Sequence, residues 1–218
     1  MVAQDSKPHD SLAFLAPGLL HQLGNLLLTI QGNAHCMGDY AAPRERQAIL
    51  DASARGASTL GVLRHLLGDG THEVQPADRL FRQVLELSRT ASREAGHTLL
   101  EPQIDGAEAW PAVVAAPFVR TLVLALASFV ARIPTGVQAR IQAGLGRDGK
   151  GFAVRFDCRR GTGELPFPLP LDDLVRTLAI RLAGDGLPGQ VVGRADGIGV
   201  SFAVAGGSAG VAAAGTLG

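Results

Sequence analysis

Apolar residues recur by threes and fours from about Ser11 to Gly38: Leu12, Leu15, Leu19, Leu23, Leu26, Ile30 and Met37. At about 100° per residue they gather on one side of a helix and form a bundle-type seam. A second helical run extends from about Pro43, a residue suited to a first helical position, to Leu67. It sets Ile49, Leu60, Leu63 and Leu67 on one face, with Ser53 and Gly56 between them. The connection "GDYAAP" is short, which predicts an antiparallel helical hairpin. A lone hairpin has too little core to be stable, and a second copy would complete a four-helix bundle, so a homodimer is expected.

Beyond "GDGTHEVQP" the pattern changes. A short strand around Val74 leads into a helix capped near Asp78 that carries Leu80, Phe81, Val84, Leu85 and Leu87. One strand is expected at about His97 to Ile104, then a mostly buried helix in "PFVRTLVLALASFVARI". "VQARIQAG" and "GFAVRFDC" alternate as a hairpin joined by a Gly- and Asp-containing turn. "PLDDLVRTLAIRLAG" is helical, and "GQVVGRADGIGVSFAVAG" is a closing hairpin turned at Asp196-Gly197. The order β-α-β-α-β-β-α-β-β predicts an α+β layer with helices on one face of the sheet. The expected organisation is a hairpin over residues 9–69, an α/β sandwich over 73–205, and a low-complexity, disordered tail over 206–218.

Composition narrows the function classes. The chain has 218 residues and is 46% apolar, enough for a real core. Twenty basic and twenty acidic side chains cancel, which leaves no basic stripe for nucleic acid and no polybasic membrane patch. "MVAQDSKPHDS" has no apolar stretch after its charge, so no signal peptide is expected. No uncharged apolar run is expected to reach membrane-spanning length, "TLVLALASFVA" being about half a span. Cys36 and Cys158 stand far apart, and His35 beside Cys36 has no second pair at ligand spacing, so no metal site is expected. A reduced, cytoplasmic protein fits this cysteine usage.

His21 falls opposite the first seam. Gly18, Asn25, Leu28, Gly32 and His35 stack on its face at i+3/i+4 spacing, a separate stripe of polar and small residues. Pro17, one turn earlier, either opens the helix or removes an amide from an earlier turn. His21 could be only a surface histidine of a bundle helix. Asn25 could then merely bond the neighbouring helix, and Leu28 and Gly32 would be ordinary surface residues. "GDG" at 68–70 and "GTG" at 161–163 are loop glycines, and Trp110 with Pro111 is a packing anchor at a loop.

The stretch His21-Gln-Leu-Gly-Asn25-Leu-Leu27-Leu-Thr-Ile30-Gln-Gly32 resembles the phosphoacceptor box of bacterial sensor histidine kinases, His-Glu-apolar-x-Asn/Thr-x-Leu-x-x-Ile-x-Gly. "ILDASARGASTLGVLRHLL" is similar to the partner helix of their dimerisation module, and the later element order to their ATP-binding domain. The departures are as informative. The long helix of the kinases' ATP domain supplies an Asn that ligates Mg²⁺. Here there is no Asn beyond Asn33, and Ser128 is the nearest polar substitute. The Asp-x-Gly-x-Gly box is missing: "FDCRRGTGE" offers Asp157, Gly161 and Gly163 with the aspartate two residues out of register. "FPLPLDDL" replaces the Gly-x-Gly of the lid. Phosphates need close backbone amides and a metal, so the resemblance implies a degenerate ATPase-like domain that holds no nucleotide.

A phosphoacceptor histidine without a kinase half resembles the degenerate histidine phosphotransferases of bacterial phosphorelays, of the ChpT type. That resemblance implies that His21 shuttles phosphoryl groups between aspartates of response-regulator receiver domains. It needs no cofactor of its own, because the receiver brings Mg²⁺. A neutral imidazole is a competent nucleophile near pH 7 when exposed. Leu28, Thr29 and Gly32 would then form the patch that docks a receiver helix. Gln22 stands where the family has an acidic residue. It can accept the ring N–H but offers no charge, so slower transfer is expected. Asn25 occupies the position that in the kinases orients the water hydrolysing the receiver's aspartyl phosphate, so the resemblance also implies a receiver phosphatase as the alternative to relay. A dimeric, non-catalytic scaffold that binds a regulator or kinase is the reading from another class.

Overall fold

The computed structural model describes residues 8–36, 43–67, 72–106, 109–134, 136–148, 151–160, 169–194 and 197–203. The chain begins with two long helices, α1 (Pro8–Cys36) and α2 (Pro43–Leu67). There follow β1 (Val74–Pro76), α3 (Ala77–Glu94), β2 (Thr98–Leu99), β3 (Gln103–Ile104), β4 (Ala112–Val114) and α4 (Ala115–Val130). A long hairpin, β5 (Ala139–Asp148) and β6 (Gly151–Arg160), precedes α5 (Asp172–Gly184), β7 (Gly189–Gly193) and β8 (Gly197–Ala203). The fold is mixed α+β.

The main sheet runs β2-β5-β6-β8-β7, with β3 also on β5. β2 and β3 lie parallel to β5, and the other pairs are antiparallel. The single strand expected over His97–Ile104 is two short ones. Pro102 interrupts it, having no amide to give the ladder. Pairing resumes on either side, with Leu100 N–H on the Ile141 carbonyl at 2.9 Å and Asp105 N–H on that of Leu145 at 3.0 Å. β4, which the sequence pattern leaves as loop, pairs antiparallel with β1 through Val74↔Val114. Asp78 is not the cap of α3. Pro76 holds that position with extended backbone and no side-chain bond, and Asp78 sits in the first turn, where its charge suits the helix dipole. The Asp196-Gly197 turn, the glycines at 68–70 and 161–163, and the tail lie wholly or partly outside the described residues.

Alternation along β5 and β6 turns Ile141, Ala143, Leu145, Phe152, Val154 and Phe156 inward. Arg140, Arg155 and Arg159 point to the open face. On the inner side α4 is buried almost all round. Its Phe118 meets Phe152 and Phe202 edge-on at 5.8 and 5.2 Å between ring centres, and those two rings stack at 5.1 Å.

The hairpin joins this core. Leu15 and Leu19 of α1 and Val62 and Leu66 of α2 belong to the same buried cluster as α3, α4 and the sheet. Gly18 makes the approach possible, because a Cβ there would overlap the Leu87 carbonyl oxygen of α3. It is therefore buried under α3 and does not share the open stripe of His21 as its spacing suggests. Pro17 lies inside α1, so Ala13 lacks an amide partner for its carbonyl. In α2 the buried residues are Ala52, Thr59, Val62, His65 and Leu66, and Leu60 and Leu67 are exposed. Of the leucine face seen in the sequence, Leu63 packs against the core and Ile49 is half-buried, whereas Leu60 and Leu67 face out, so the packing face is turned away from it. The expectation of no span-length apolar run is also corrected. Leu12–Cys36 is apolar and long enough to cross a membrane by length and composition, and about a fifth of that stretch is buried in this fold.

Candidate functional site

α1 is uncharged from Leu12 to Cys36, so its polar side chains stand out one by one. Leu15 and Leu19 in the core, and Leu26 buried beside Gly56 of α2, pull one side of the helix down onto α2 and α3. That rotation carries His21 to the solvent side, with Asn25 one turn on and also exposed. The Asn25 Nδ2 amide lies 3.1 Å from His21 Nε2. An N–H directed at Nε2 needs a lone pair there, which the tautomer with its proton on Nδ1 supplies. The polar ladder continues down the helix. Thr29 Oγ1 donates to the Asn25 carbonyl at 2.8 Å, and Asn33 Nδ2 to the Thr29 carbonyl at 2.8 Å.

Gln22 is turned the other way. Its Oε1 accepts a hydrogen bond from the Thr59 hydroxyl of α2 at 3.0 Å, across the seam of the hairpin. The amide oxygen assigned from the sequence to the ring N–H is thus engaged elsewhere. Leu28 and Gly32 flank His21 on the exposed stripe. Thr29 is half-buried and lines, with Gln22 and Asn25, the wall of a cleft against α3. Among the described residues no group of three or more His, Cys, Asp or Glu could hold a metal.

No protein-family model matches the chain, and no curated protein matches it. Among solved structures it is similar to the histidine kinase AdeS of Acinetobacter baumannii, at 12% identity and a TM-score of 0.45, over 84% of this chain and 97% of that one. It is similar to a bacterial phosphotransferase at 15% identity and a TM-score of 0.37, over 92% and 98% of the two chains. The catalytic domain of the histidine kinase ThkA gives 12% and 0.45, over 60% of this chain and 92% of that one. The neighbours are histidine kinases and a phosphotransferase.

At such identities function has to be read from this chain's own side chains. The segment after β6 is described from Leu169 onward, and there it is packed down: Leu169, Leu171 and Leu174 are buried in the core. Arg132, just past the end of α4, donates Nε–H to the Pro170 carbonyl at 3.1 Å and holds this segment against the helix. Ser128 is half-buried, and its carbonyl accepts from Arg132 at 3.2 Å. Asp157 lies on β6 opposite Gln142 and Gly197. Sequence reasoning missed the cleft beside the site, with Arg55 and Arg82 in its walls. Arginines on an exposed helix face carry no signal until packing brings two helices together.

Proposed function

We propose that the chain is a histidine phosphotransferase of two-component signalling that works without ATP. The observation that carries the reading is the exposed His21 ring with its Nε2 addressed by the Asn25 amide at 3.1 Å. In the proposed step Nε2 attacks the phosphorus of a receiver's aspartyl phosphate in line. The P–N bond forms, the P–O bond to the carboxylate breaks, and the Nδ1 proton leaves to solvent as the imidazolium charge is relieved. The reverse step delivers the group to a second receiver. The Asn25 amide swings off the lone pair as the phosphoryl group arrives. No carboxylate stands where Gln22 is, so the ring gains no charge stabilisation from it and transfer is slow. Mg²⁺ comes with the receiver, and the leucines packed down after β6 support a domain that holds no nucleotide. A cytoplasmic setting goes with receiver partners.

The apolar surface left on the hairpin supports a homodimer. Leu20 and Leu27 of α1 are 73% and 61% exposed, and Leu60 and Leu67 of α2 are 49% and 67% exposed, at heptad spacing in each helix. A second copy of the hairpin is the proposed cover, completing a four-helix bundle. Leu28, Thr29 and Gly32 beside His21 are the proposed receiver contact.

The same Asn25 amide favours one other reading, a receiver phosphatase in which Asn25 holds the attacking water. Incubation with radiolabelled phospho-receivers separates the two. Acid-labile, base-stable label on the wild type and not on His21→Ala is the phosphotransferase result. Loss of receiver label, dependent on Asn25 and leaving this protein unlabelled, is the phosphatase result. No effect on any receiver overturns both and leaves a scaffold.

A further inference from the structure

The cleft between the hairpin and α3 has a volume of about 530 Å³, within the roughly 300–1,000 Å³ range of small-molecule sites. Its floor is apolar, with Leu26, Val62 and Leu85 all buried. Its walls are tied in place. Gln83 of α3 donates to the Ser58 hydroxyl of α2 at 2.7 Å, and Thr59 bonds Gln22 of α1. Three arginines line it, and they differ in one respect. Arg89 is fully engaged by Glu86 at 3.0 Å, Glu101 at 2.7 Å and the Leu99 carbonyl at 3.4 Å. The guanidinium groups of Arg55, on α2, and Arg82, on α3, have no ion-pair or hydrogen-bond partner among the described residues. Two unspent forks thus line one cleft from two different helices, over an apolar floor and between fixed walls.

We propose that this cleft binds a small organic phosphate, a phosphate monoester on a compact apolar body, with Arg55 and Arg82 gripping the anion from the two walls. A phosphate dianion has three free oxygens spread tetrahedrally and about twice the charge of a carboxylate, so it suits two guanidinium groups approaching from different helices better than a planar carboxylate does. The apolar body lies on Leu26, Val62 and Leu85. Because the walls are already bonded to one another, little ordering is needed on binding. The site stands apart from the phosphotransfer reading: the bound phosphate is a ligand, not a donor, and His21 takes no part.

Calorimetric titration of the full chain with phenyl phosphate tests this. The expected result is saturable binding of one molecule per chain. Arg55→Gln with Arg82→Gln should weaken it about tenfold or more, the loss of two charge-assisted contacts. Arg79→Gln, on α3 but outside the cleft, and His21→Ala should both leave it unchanged. Circular dichroism of each variant confirms that the exposed substitutions leave the fold intact. Absence of saturable binding, equal affinity in the double arginine variant, or loss of binding in His21→Ala each overturns the proposal. Retained binding in a protein that transfers no phosphoryl group would sink only the phosphotransferase reading.

Discussion

α1 and α4 are both apolar helices, and they end in different surroundings. α4 is enclosed by α3, α5, the hairpin and the sheet, so nearly every side chain along it is spent on the core. Among the described residues α1 buries the stripe of Leu15, Gly18, Leu19 and Leu26, and leaves Leu20, Leu27 and Leu28 in the open. Hydrophobic content therefore sets how much surface a helix can bury, and the neighbours decide which of it is buried within one chain. The uncommitted apolar surface of α1 and α2 lies beside the one ring-and-amide pair of the helix. On α4, where nothing apolar is left over, there is only packing.

The contrast can be broken by truncation. Phe118→Ala in α4 removes a ring that is fully buried against Phe152 and Phe202, and should cost about 3–5 kcal/mol in urea unfolding. Leu27→Ala in α1, read in the monomer, should stay within about 0.5 kcal/mol, as surface substitutions do. A similar loss at both positions would show that α1 is more enclosed than this fold has it. Gly18→Ala comes next, at about 1–3 kcal/mol, because its Cβ would overlap the Leu87 carbonyl and the two backbones must part.

The ends of α2 were legible because Pro43 opens the helix and a helical apolar period runs to Leu67. The β5–β6 hairpin was legible from its alternation. The face on which α2 packs was not, since Ala52, Thr59, Val62 and Leu66 compete with the adjoining apolar row of Ile49, Leu60, Leu63 and Leu67, of which only Leu63 reaches the core. β4 is three residues paired with three others far along the chain, too short to leave a period. Gly18 gave the signal of a small surface residue, and only the crossing of α3 shows it to be a contact. At the site, the shared face of His21 and Asn25 was legible because i,i+4 residues are neighbours on a helix surface, but the bond between them was not. Gln22–Thr59 joins residues 37 apart in sequence, and the cleft exists only once three helices are packed.

A smaller effect sharpens the comparison by pH. His97, just after α3, is buried, and burial lowers its pKa from the usual 6.5 more than its backbone hydrogen bonds, with Gly96 and Val137, raise it. Below about pH 6.5 the unfolded chain takes up a proton that the folded chain resists, so stability should fall on acidification and be restored above that pH. His97→Gln should flatten this slope in chemical denaturation between pH 5 and 7, and an unchanged slope would remove His97 as its source. The smallest effect on folding is expected from Leu20→Asn with Leu60→Asn. These should leave the unfolding midpoint of the monomer nearly unchanged while converting a dimer to a monomer in sedimentation. Unchanged mass would remove the hairpin as the dimer surface.

The central claim is that His21 carries a phosphoryl group. The most direct measurement is phosphorus NMR of the protein after incubation with a phosphorylated receiver and Mg²⁺. The expected result is a phosphoramidate resonance, base-stable and acid-labile, that is absent from His21→Ala and present in Gln22→Ala. A phosphoramidate signal that persists in His21→Ala, or its absence from the wild type with every receiver tried, would contradict the account.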